Sequence, residues 1–95
     1  MTVHKLKTLP PYWNAVDRGE KNFEVRRNDR GFQKGDVLEL NYYDPAECWM
    51  RREPIHKRVT YVLTGGQFGL EPGYVVMGLA EIDNQQRVTS TGETK

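Results

Sequence analysis

Cysteine is almost absent from the sequence, since Cys48 is the only one among 95 residues. A single thiol forms no internal disulfide, and the nearest histidine, His56, is eight positions away, so the sequence gives no support for a zinc site. We therefore expect no metal and no cofactor. No run of about 18 apolar residues is present, which predicts that no segment spans a membrane. Residues 1–5 lack the apolar segment of a signal peptide, so we expect a cytoplasmic protein.

The length and composition of the chain fit one small soluble domain. Hydrophobic residues make up 37% of the sequence and charged residues 28%, a balance typical of globular proteins. Apolar patterning ends near residue 82, so we predict a domain over residues 1–82 and a disordered C-terminal tail over residues 83–95. We find no internal repeat, and nothing in the pattern requires more than a monomer.

The net charge of +1 conceals an uneven distribution along the chain. Residues 1–35 contain eight Lys and Arg against four Asp and Glu, which leaves +4, whereas residues 36–95 contain six against nine, which leaves −3. A basic N-terminal third can attract phosphate groups. The alternative is that these side chains are simply solvated, and charge alone does not decide between the two.

Apolar patterning predicts five β-strands, at residues 3–9, 21–27, 37–43, 55–63 and 73–82. One short helix is predicted at residues 12–18, because Pro10-Pro11 suits a first helical turn and Gly19 suits the C-terminal end. Trp13 and Val16 lie three positions apart, so they share the helix face that docks on the core. Five strands and one helix after the first strand predict an α+β, β-rich fold, a small and partly open β-barrel.

Two strands carry detailed expectations about burial. In the second strand, Phe23 and Val25 alternate with Glu24 and Arg26, which predicts one buried apolar face and one polar face. In the fourth strand, alternation is interrupted only by Lys57. That strand is expected to point the following side chains inward: Ile55, Val59, Tyr61 and Leu63.

The most informative stretch is residues 19–26, where an ammonium, a carboxylate and a guanidinium fall on one short strand. Glu24 and Arg26 are two positions apart and share a face, and the long stem of Lys21 reaches the same side. Such a group can hold an anion through Lys21 and Arg26 while Glu24 accepts a hydrogen bond from a base or a sugar. The alternative is a salt-bridged polar sheet face without a ligand.

The pattern Gly19-x-Lys21-x-x-Glu24-x-Arg26 resembles the signature of ASCH domains, which are relatives of the PUA RNA-binding fold. The chain looks like a bacterial and phage branch of unknown function over about residues 3–82. Further segments carry the resemblance: residues 4–7, 28–30, 32–36 and 73–77. The resemblance implies a β-barrel of PUA or ASCH type, a cleft that contains Lys21, Glu24 and Arg26, and a function related to RNA.

Some ASCH domains are small amidohydrolases that remove an acetyl group from acetylated cytidine. In those relatives the motif lysine activates a threonine two residues before the motif arginine, and this chain has Glu24 at that position. A carboxylate can act as a base, but it cannot replace a hydroxyl nucleophile. We therefore predict RNA or nucleotide binding without catalysis. The alternatives are an amidohydrolase for a modified nucleoside, with Lys21 and Glu24 as its catalytic residues, and a phage or bacterial protein-interaction module.

Further residues are predicted to lie at or near the ligand: His4, Lys5, Lys7, Arg27, Arg30 and Tyr42. For His4, a hydrogen-bonded structural role is the more common alternative. Tyr42 can stack on a base, although packing at the core or its rim is the more common use of such a ring. Tyr43 points to the opposite face of the same strand.

Overall fold

The computed structural model describes residues 1–47 and 52–82. Its elements follow in chain order: β1 (Val3–Thr8), α1 (Pro10–Asp17), β2 (Phe23–Arg27), β3 (Val37–Tyr42), a 3₁₀ turn (Pro45–Glu47), β4 (Ile55–Thr64) and β5 (Tyr74–Glu81). The predicted fold class is confirmed, because five strands form one curled sheet, a half-barrel, with a short helix after the first strand. No described helix is long and apolar enough to cross a membrane. Cys48 and the predicted tail lie outside the described residues.

The sheet has the strand order β1-β3-β4-β5-β2, so β1 and β2 are its two edges. Only the β1–β3 pair is parallel. The sheet curls until its edges approach each other. Nη2 of Arg26 on β2 donates a hydrogen bond to the carbonyl oxygen of Lys7 on β1 at 3.1 Å. Nη1 of Arg30, just beyond β2, donates to the carbonyl oxygen of Lys5 at 3.1 Å. Two arginine side chains thus span the gap between the edges.

Helix α1 lies against the concave side of the sheet. Pro10 and Pro11 occupy its first turn, where the missing N–H groups cost nothing. Trp13 and Val16 are buried, as their spacing predicts, and Nε1 of Trp13 donates to the carbonyl oxygen of Leu40 at 3.0 Å. The core around them consists of buried apolar side chains from the helix, the sheet and the β2–β3 connection: Leu6, Trp13, Val16, Phe32, Leu38, Leu40, Val59, Val75 and Met77.

One buried polar cluster joins β1 to the turn before β3. Nε2 of His4 donates to Oδ2 of Asp36 at 2.9 Å, and the backbone N–H groups of Thr2 and Gln33 donate to the same carboxylate. Burial by itself raises the pKa of Asp36. The hydrogen bonds from His4, Gln33 and Thr2 outweigh burial and hold the pKa below its ordinary value.

The structure reverses the predicted burial of β2: the face predicted to be buried is exposed, and Glu24 on the other face is buried. Phe23 and Val25 are 45% and 46% exposed, whereas Glu24 is only 3% exposed. Glu24 pairs with Met77 on β5, whose side chain lies in the core, so the carboxylate occupies the inner face of the sheet. Alternation separates two faces but does not say which one faces inward, and at this edge strand the inner face opens into a cleft.

The predicted burial of β4 is correct for Val59 and wrong for Lys57, Tyr61 and Leu63. Val59 is fully buried and Tyr61 is 64% exposed. A β-bulge between Val59 and Tyr61 inserts one extra residue into the strand and shifts the alternation by one position. Lys57 follows the inward pattern instead of breaking it: it is buried, and its Nζ donates to Oε2 of Glu81 at 2.6 Å.

Candidate ligand-binding cleft

A cleft of about 490 Å³ opens between the two sheet edges and the start of α1. The residues that line it come from the end of β1, the first turn of α1, and β2 with the residues before it: Lys7, Thr8, Leu9, Tyr12, Lys21, Phe23, Glu24, Val25 and Arg26. Three of the four residues that define the sequence motif therefore lie on its walls. The curl of the sheet forms the cleft, because β1 and β2 are far apart in strand order and meet only across this opening.

Glu24 is the centre of the charged group in the cleft. Its side chain is 4% exposed, and each carboxylate oxygen accepts a hydrogen bond from a different cation. Nζ of Lys21 lies 2.8 Å from Oε2, and Nε of Arg26 lies 3.0 Å from Oε1. A buried carboxylate needs such partners, since its desolvation is costly without them. Glu24 thus fixes the positions of both cations.

Lys21 reaches the cleft from the connection between α1 and β2. Gly19 ends the helix with a φ of +80°, and the backbone N–H of Lys21 donates to the carbonyl oxygen of Ala15 at 3.1 Å, which ties this connection to the helix. Nζ of Lys21 also donates to the carbonyl oxygen of Phe23 at 2.7 Å. The ammonium lies 4.9 Å from the centre of the Phe23 ring and 5.9 Å from that of Tyr12. It is therefore flanked by two aromatic rings.

Arg26 divides its donors between structure and cleft. Nε bonds Glu24, and Nη2 donates to the carbonyl oxygen of Lys7 and, at 3.2 Å, to Oγ1 of Thr8. Within residues 1–47 and 52–82, Nη1 makes no hydrogen bond, and Lys21 uses only two of its three ammonium N–H groups. Two cations against one carboxylate leave a net charge of +1. The cleft thus offers positive charge and unused N–H donors to an anion or a carbonyl oxygen.

Of the six other residues predicted to bind the ligand, only Lys7 lines the cleft. Lys7 lies at the rim, with its Nζ 4.9 Å from the centre of the Tyr43 ring. Arg30 donates to the backbone carbonyl oxygen of Lys5, and neither residue lines the cleft. His4 is buried and hydrogen-bonded to Asp36, and it does not line the cleft.

The two remaining predicted residues lie elsewhere. Arg27 extends on the outer side of the sheet, where its guanidinium lies 5.5 Å from the centre of the Tyr74 ring. Tyr42 packs edge-on against Trp13 with a separation of 5.4 Å between ring centres, and the guanidinium of Arg52 lies 4.3 Å from the centre of the Tyr42 ring. Neither of them lines the cleft.

Sequence reasoning missed five residues of the cleft lining: Thr8, Leu9, Tyr12, Phe23 and Val25. Thr8 is buried and supplies the hydroxyl that Arg26 contacts. Tyr12 is 54% exposed in the first turn of α1, although it lies four positions before the buried Val16, so helical spacing gave no sign that it faces the cleft. Phe23 was assigned to the core by alternation. Among the described residues, no group of three or more His, Cys, Asp or Glu could hold a metal ion.

The fold and the cleft define a small β-rich domain with a curled five-stranded sheet and a cationic, aromatic-walled cleft between its edges. The chain belongs to the family described as a domain of unknown function, DUF3850, which matches residues 3–79. No match was found among the curated proteins. The family description assigns no activity, so the resemblance to ASCH and PUA domains, the bacterial or phage origin and RNA binding stay predictions.

Proposed function

We propose that the cleft binds RNA or a nucleotide, without catalysis, by placing a phosphate or a base oxygen against Lys21 and Arg26. The observation that carries this proposal is the set of unused N–H donors on the two cations, which Glu24 holds in place at the bottom of a cleft. Preorganised cations bind an anion with little loss of side-chain entropy, since their rotamers are already fixed. The net positive charge favours an anionic ligand over a neutral one.

The aromatic walls support a nucleotide rather than a simple anion. Tyr12 and Phe23 both line the cleft, and their side chains are about half exposed, so their rings are accessible to a ligand. Aromatic rings beside cations are the surfaces on which unpaired bases stack. A phosphate near Lys21 would bring the attached nucleoside within reach of these two rings.

Glu24 acts as a positioning residue in this proposal. Sequence reasoning gave it a direct hydrogen bond to a base or a sugar. Both of its oxygens already accept bonds from Lys21 and Arg26, and its side chain is almost fully buried. Its contribution to binding is therefore the fixed separation and orientation of the two cations.

The hydrogen bonds of Thr8 favour binding over hydrolysis. Thr8 supplies the only aliphatic hydroxyl of the lining, and its Oγ1 accepts a hydrogen bond from Nη2 of Arg26. A guanidinium stays protonated and cannot take the hydroxyl proton, so this contact does not create a nucleophile. The only carboxylate nearby, Glu24, is engaged by two cations.

Strand addition by a protein partner has less support. An extended peptide binds a sheet edge through unpaired backbone groups. On the β1 edge, the carbonyl oxygens of Lys5 and Lys7 already accept hydrogen bonds from Arg30 and Arg26. On the β2 edge, the carbonyl oxygen of Phe23 accepts one from Lys21. Side chains therefore occupy several of the groups that a peptide strand would need.

The deciding experiment compares Lys21→Gln with the wild type by fluorescence anisotropy against labelled single-stranded, hairpin and duplex RNA. Lys21 is the better position to change, because Arg26 also joins the sheet edges and its loss would disturb the fold. We expect Lys21→Gln to weaken binding about tenfold, the cost of roughly one charge-assisted hydrogen bond. Lys34→Gln removes an exposed cation outside the cleft and serves as the matched control.

Three outcomes are informative. Weaker binding by Lys21→Gln, with Lys34→Gln unchanged, supports the cleft as the binding site. Equal affinity for all three proteins places the binding surface elsewhere. Deacetylation of a panel of acylated nucleosides, followed by chromatography and abolished by Lys21→Gln, would replace the proposal with the amidohydrolase alternative.

A further inference from the structure

The outer face of the sheet carries an exposed apolar surface next to the cleft. Cross-strand partners share a face, so Phe23 on β2, Gly78 on β5 and Tyr61 on β4 form one row across three strands. The adjacent rows place further apolar side chains on the same side: Val25, Val76, Leu63 and Tyr74. Phe23, Val25 and Tyr61 are 45%, 46% and 64% exposed. Contiguous exposed apolar surface of this kind marks an interaction site.

The bulge in β4 creates this surface. By shifting the alternation after Val59, it turns Tyr61 outward instead of into the core. Gly78 then lies between the Tyr61 and Phe23 positions with no side chain of its own. A Cβ at Gly78 would lie 2.9 Å from Oγ1 of Thr60 and 3.9 Å from Cβ of Tyr61, so the side chain of Thr60 occupies the space over this glycine. The surface that a ligand can reach in this row is therefore the ring of Tyr61, which is 64% exposed.

Charge on this surface suits a polyanion. Nζ of Lys21 lies 4.9 Å from the centre of the Phe23 ring, and the guanidinium of Arg27 lies 5.5 Å from that of Tyr74. The two carboxylates of β2, β4 and β5 lie on the other side of the sheet, where Glu24 pairs in register with Met77 and Glu81 with the buried Lys57. Cations beside exposed aromatic rings, with no carboxylate from these strands on the same face, complement the phosphates and bases of a nucleic acid.

The surface is also continuous with the cleft. Phe23 and Val25 line the cleft and belong to the outer rows, because β2 is the edge strand that separates the two. We propose that single-stranded RNA held in the cleft continues over β2 onto the outer face, where a base stacks on the exposed ring of Tyr61. This inference rests on the proposed function of the cleft. The strand must be single, since bases stacked within a duplex do not present their faces to an aromatic side chain.

The test compares Tyr61→Ala, Tyr61→Phe and the wild type in binding two probes. One is a fluorescein-labelled random-sequence RNA dodecamer, long enough to leave the cleft. The other is a mixture of the four ribonucleoside 5′-monophosphates, used as competitors that occupy only the cleft. We expect Tyr61→Ala to weaken dodecamer binding on the order of tenfold and Tyr61→Phe to retain it. The inhibition constant of the monophosphates should be the same for all three proteins. Val3→Ala, at an exposed apolar residue on the opposite edge strand, is the control.

A location readout accompanies the affinities. A dodecamer that contains 5-bromouridine is crosslinked by ultraviolet light, and the modified peptide is identified by mass spectrometry. Crosslinking at Tyr61 is expected. Dodecamer binding that Lys21→Gln weakens and Tyr61→Ala leaves unchanged overturns the outer-face site and leaves the cleft proposal standing. If the wild type binds neither probe, both the outer-face site and the cleft proposal are overturned. A dimer in sedimentation that Tyr61→Ala dissociates, with RNA binding unaffected, assigns the surface to a second copy of the chain.

Discussion

At the scale of single residues, the cleft depends on one buried carboxylate. Glu24 accepts hydrogen bonds from Lys21 and Arg26 with a side chain that is 4% exposed, while the two cations are 17% and 25% exposed. The carboxylate compensates two partly desolvated charges that would otherwise repel each other. Glu24 therefore has a structural role that can be measured in the absence of any ligand.

Glu24→Gln should lower the free energy of unfolding by about 2 kcal/mol, because the amide is neutral and its NH₂ group faces a cation. Urea denaturation monitored by tryptophan fluorescence measures this change. Glu20→Gln is the matched control, since Glu20 pairs with Arg18 in an exposed ion pair and should leave the midpoint in place. Unchanged stability of Glu24→Gln would mean that the cations do not depend on the carboxylate.

The residues of this site could be predicted only in part. The spacing of Lys21, Glu24 and Arg26 indicated one side of a strand, and the three side chains do meet there. The spacing could not show that this side faces inward, because Phe23 and Val25 appear in sequence as ordinary core residues. Their exposure follows from the register of β2 against β5, a long-range pairing that places Phe23 opposite Gly78 and Val25 opposite Val76 on the outer face.

At the scale of elements, the polar cluster around Asp36 fixes β1 to the turn that precedes β3. β1 and β3 form the parallel pair at one edge of the sheet, and β1 ends with Lys7 and Thr8, which line the cleft. The carboxylate of Asp36 accepts hydrogen bonds from the side chain of His4 and from two backbone N–H groups. The position of one cleft wall therefore depends on an interaction outside the cleft.

Asp36→Asn should destabilise the protein by about 1–2 kcal/mol at pH 7, since hydrogen bonds to a charged acceptor are lost. The pKa of Asp36 is lower in the folded chain than its ordinary value, so ionisation stabilises the fold above about pH 4. This contribution is lost as pH falls through the folded pKa. The difference from the wild type in urea denaturation should therefore shrink below about pH 4. A constant difference down to pH 2, or an equal effect of Asp29→Asn in the exposed turn, would contradict this account.

The elements themselves were largely accessible from sequence. Five strands and the helix lie within one to two residues of their predicted bounds, because alternation, prolines and glycines are local signals. The bulge in β4 was not predicted. It depends on how β4 pairs with β5 around Val59 and Tyr61, and a single sequence gives no local signal for an extra residue in a ladder. The exposed position of Tyr61 was missed for the same reason.

At the scale of the whole molecule, charge and curvature act together. The basic N-terminal third supplies β1, α1 and β2, which are the elements that border the cleft. The order of strands could not be read from the sequence, because it depends on pairing between strands that are distant along the chain. This order places β1 and β2, which are close in sequence, at opposite edges of one sheet. The curl of that sheet then places cations from both edges on one opening, with Lys7 on one side and Arg26 on the other.

The salt dependence of binding should count the cations that contact RNA. Each phosphate neutralised on a single strand contributes about −0.7 to the slope of log affinity against log salt concentration. Lys21 and Arg26 alone predict a slope of about −1.4, and Lys7 at the rim would bring it to about −2.1. If all eight Lys and Arg of residues 1–35 contacted phosphates, the slope would approach about −5.6. Anisotropy titrations of a labelled dodecamer from about 50 to about 200 mM salt distinguish these cases.

Lys21→Gln should make the slope shallower by about 0.7, because one phosphate contact is lost, whereas Lys34→Gln should leave it unchanged. A wild-type slope near the higher value would mean that RNA spreads over the whole basic third of the chain instead of entering the cleft. A slope near zero would mean that the ligand is held through its bases or is not anionic. Because the slope reports the number of contacts separately from affinity, it tests the cleft even when the RNA sequence is not the preferred one.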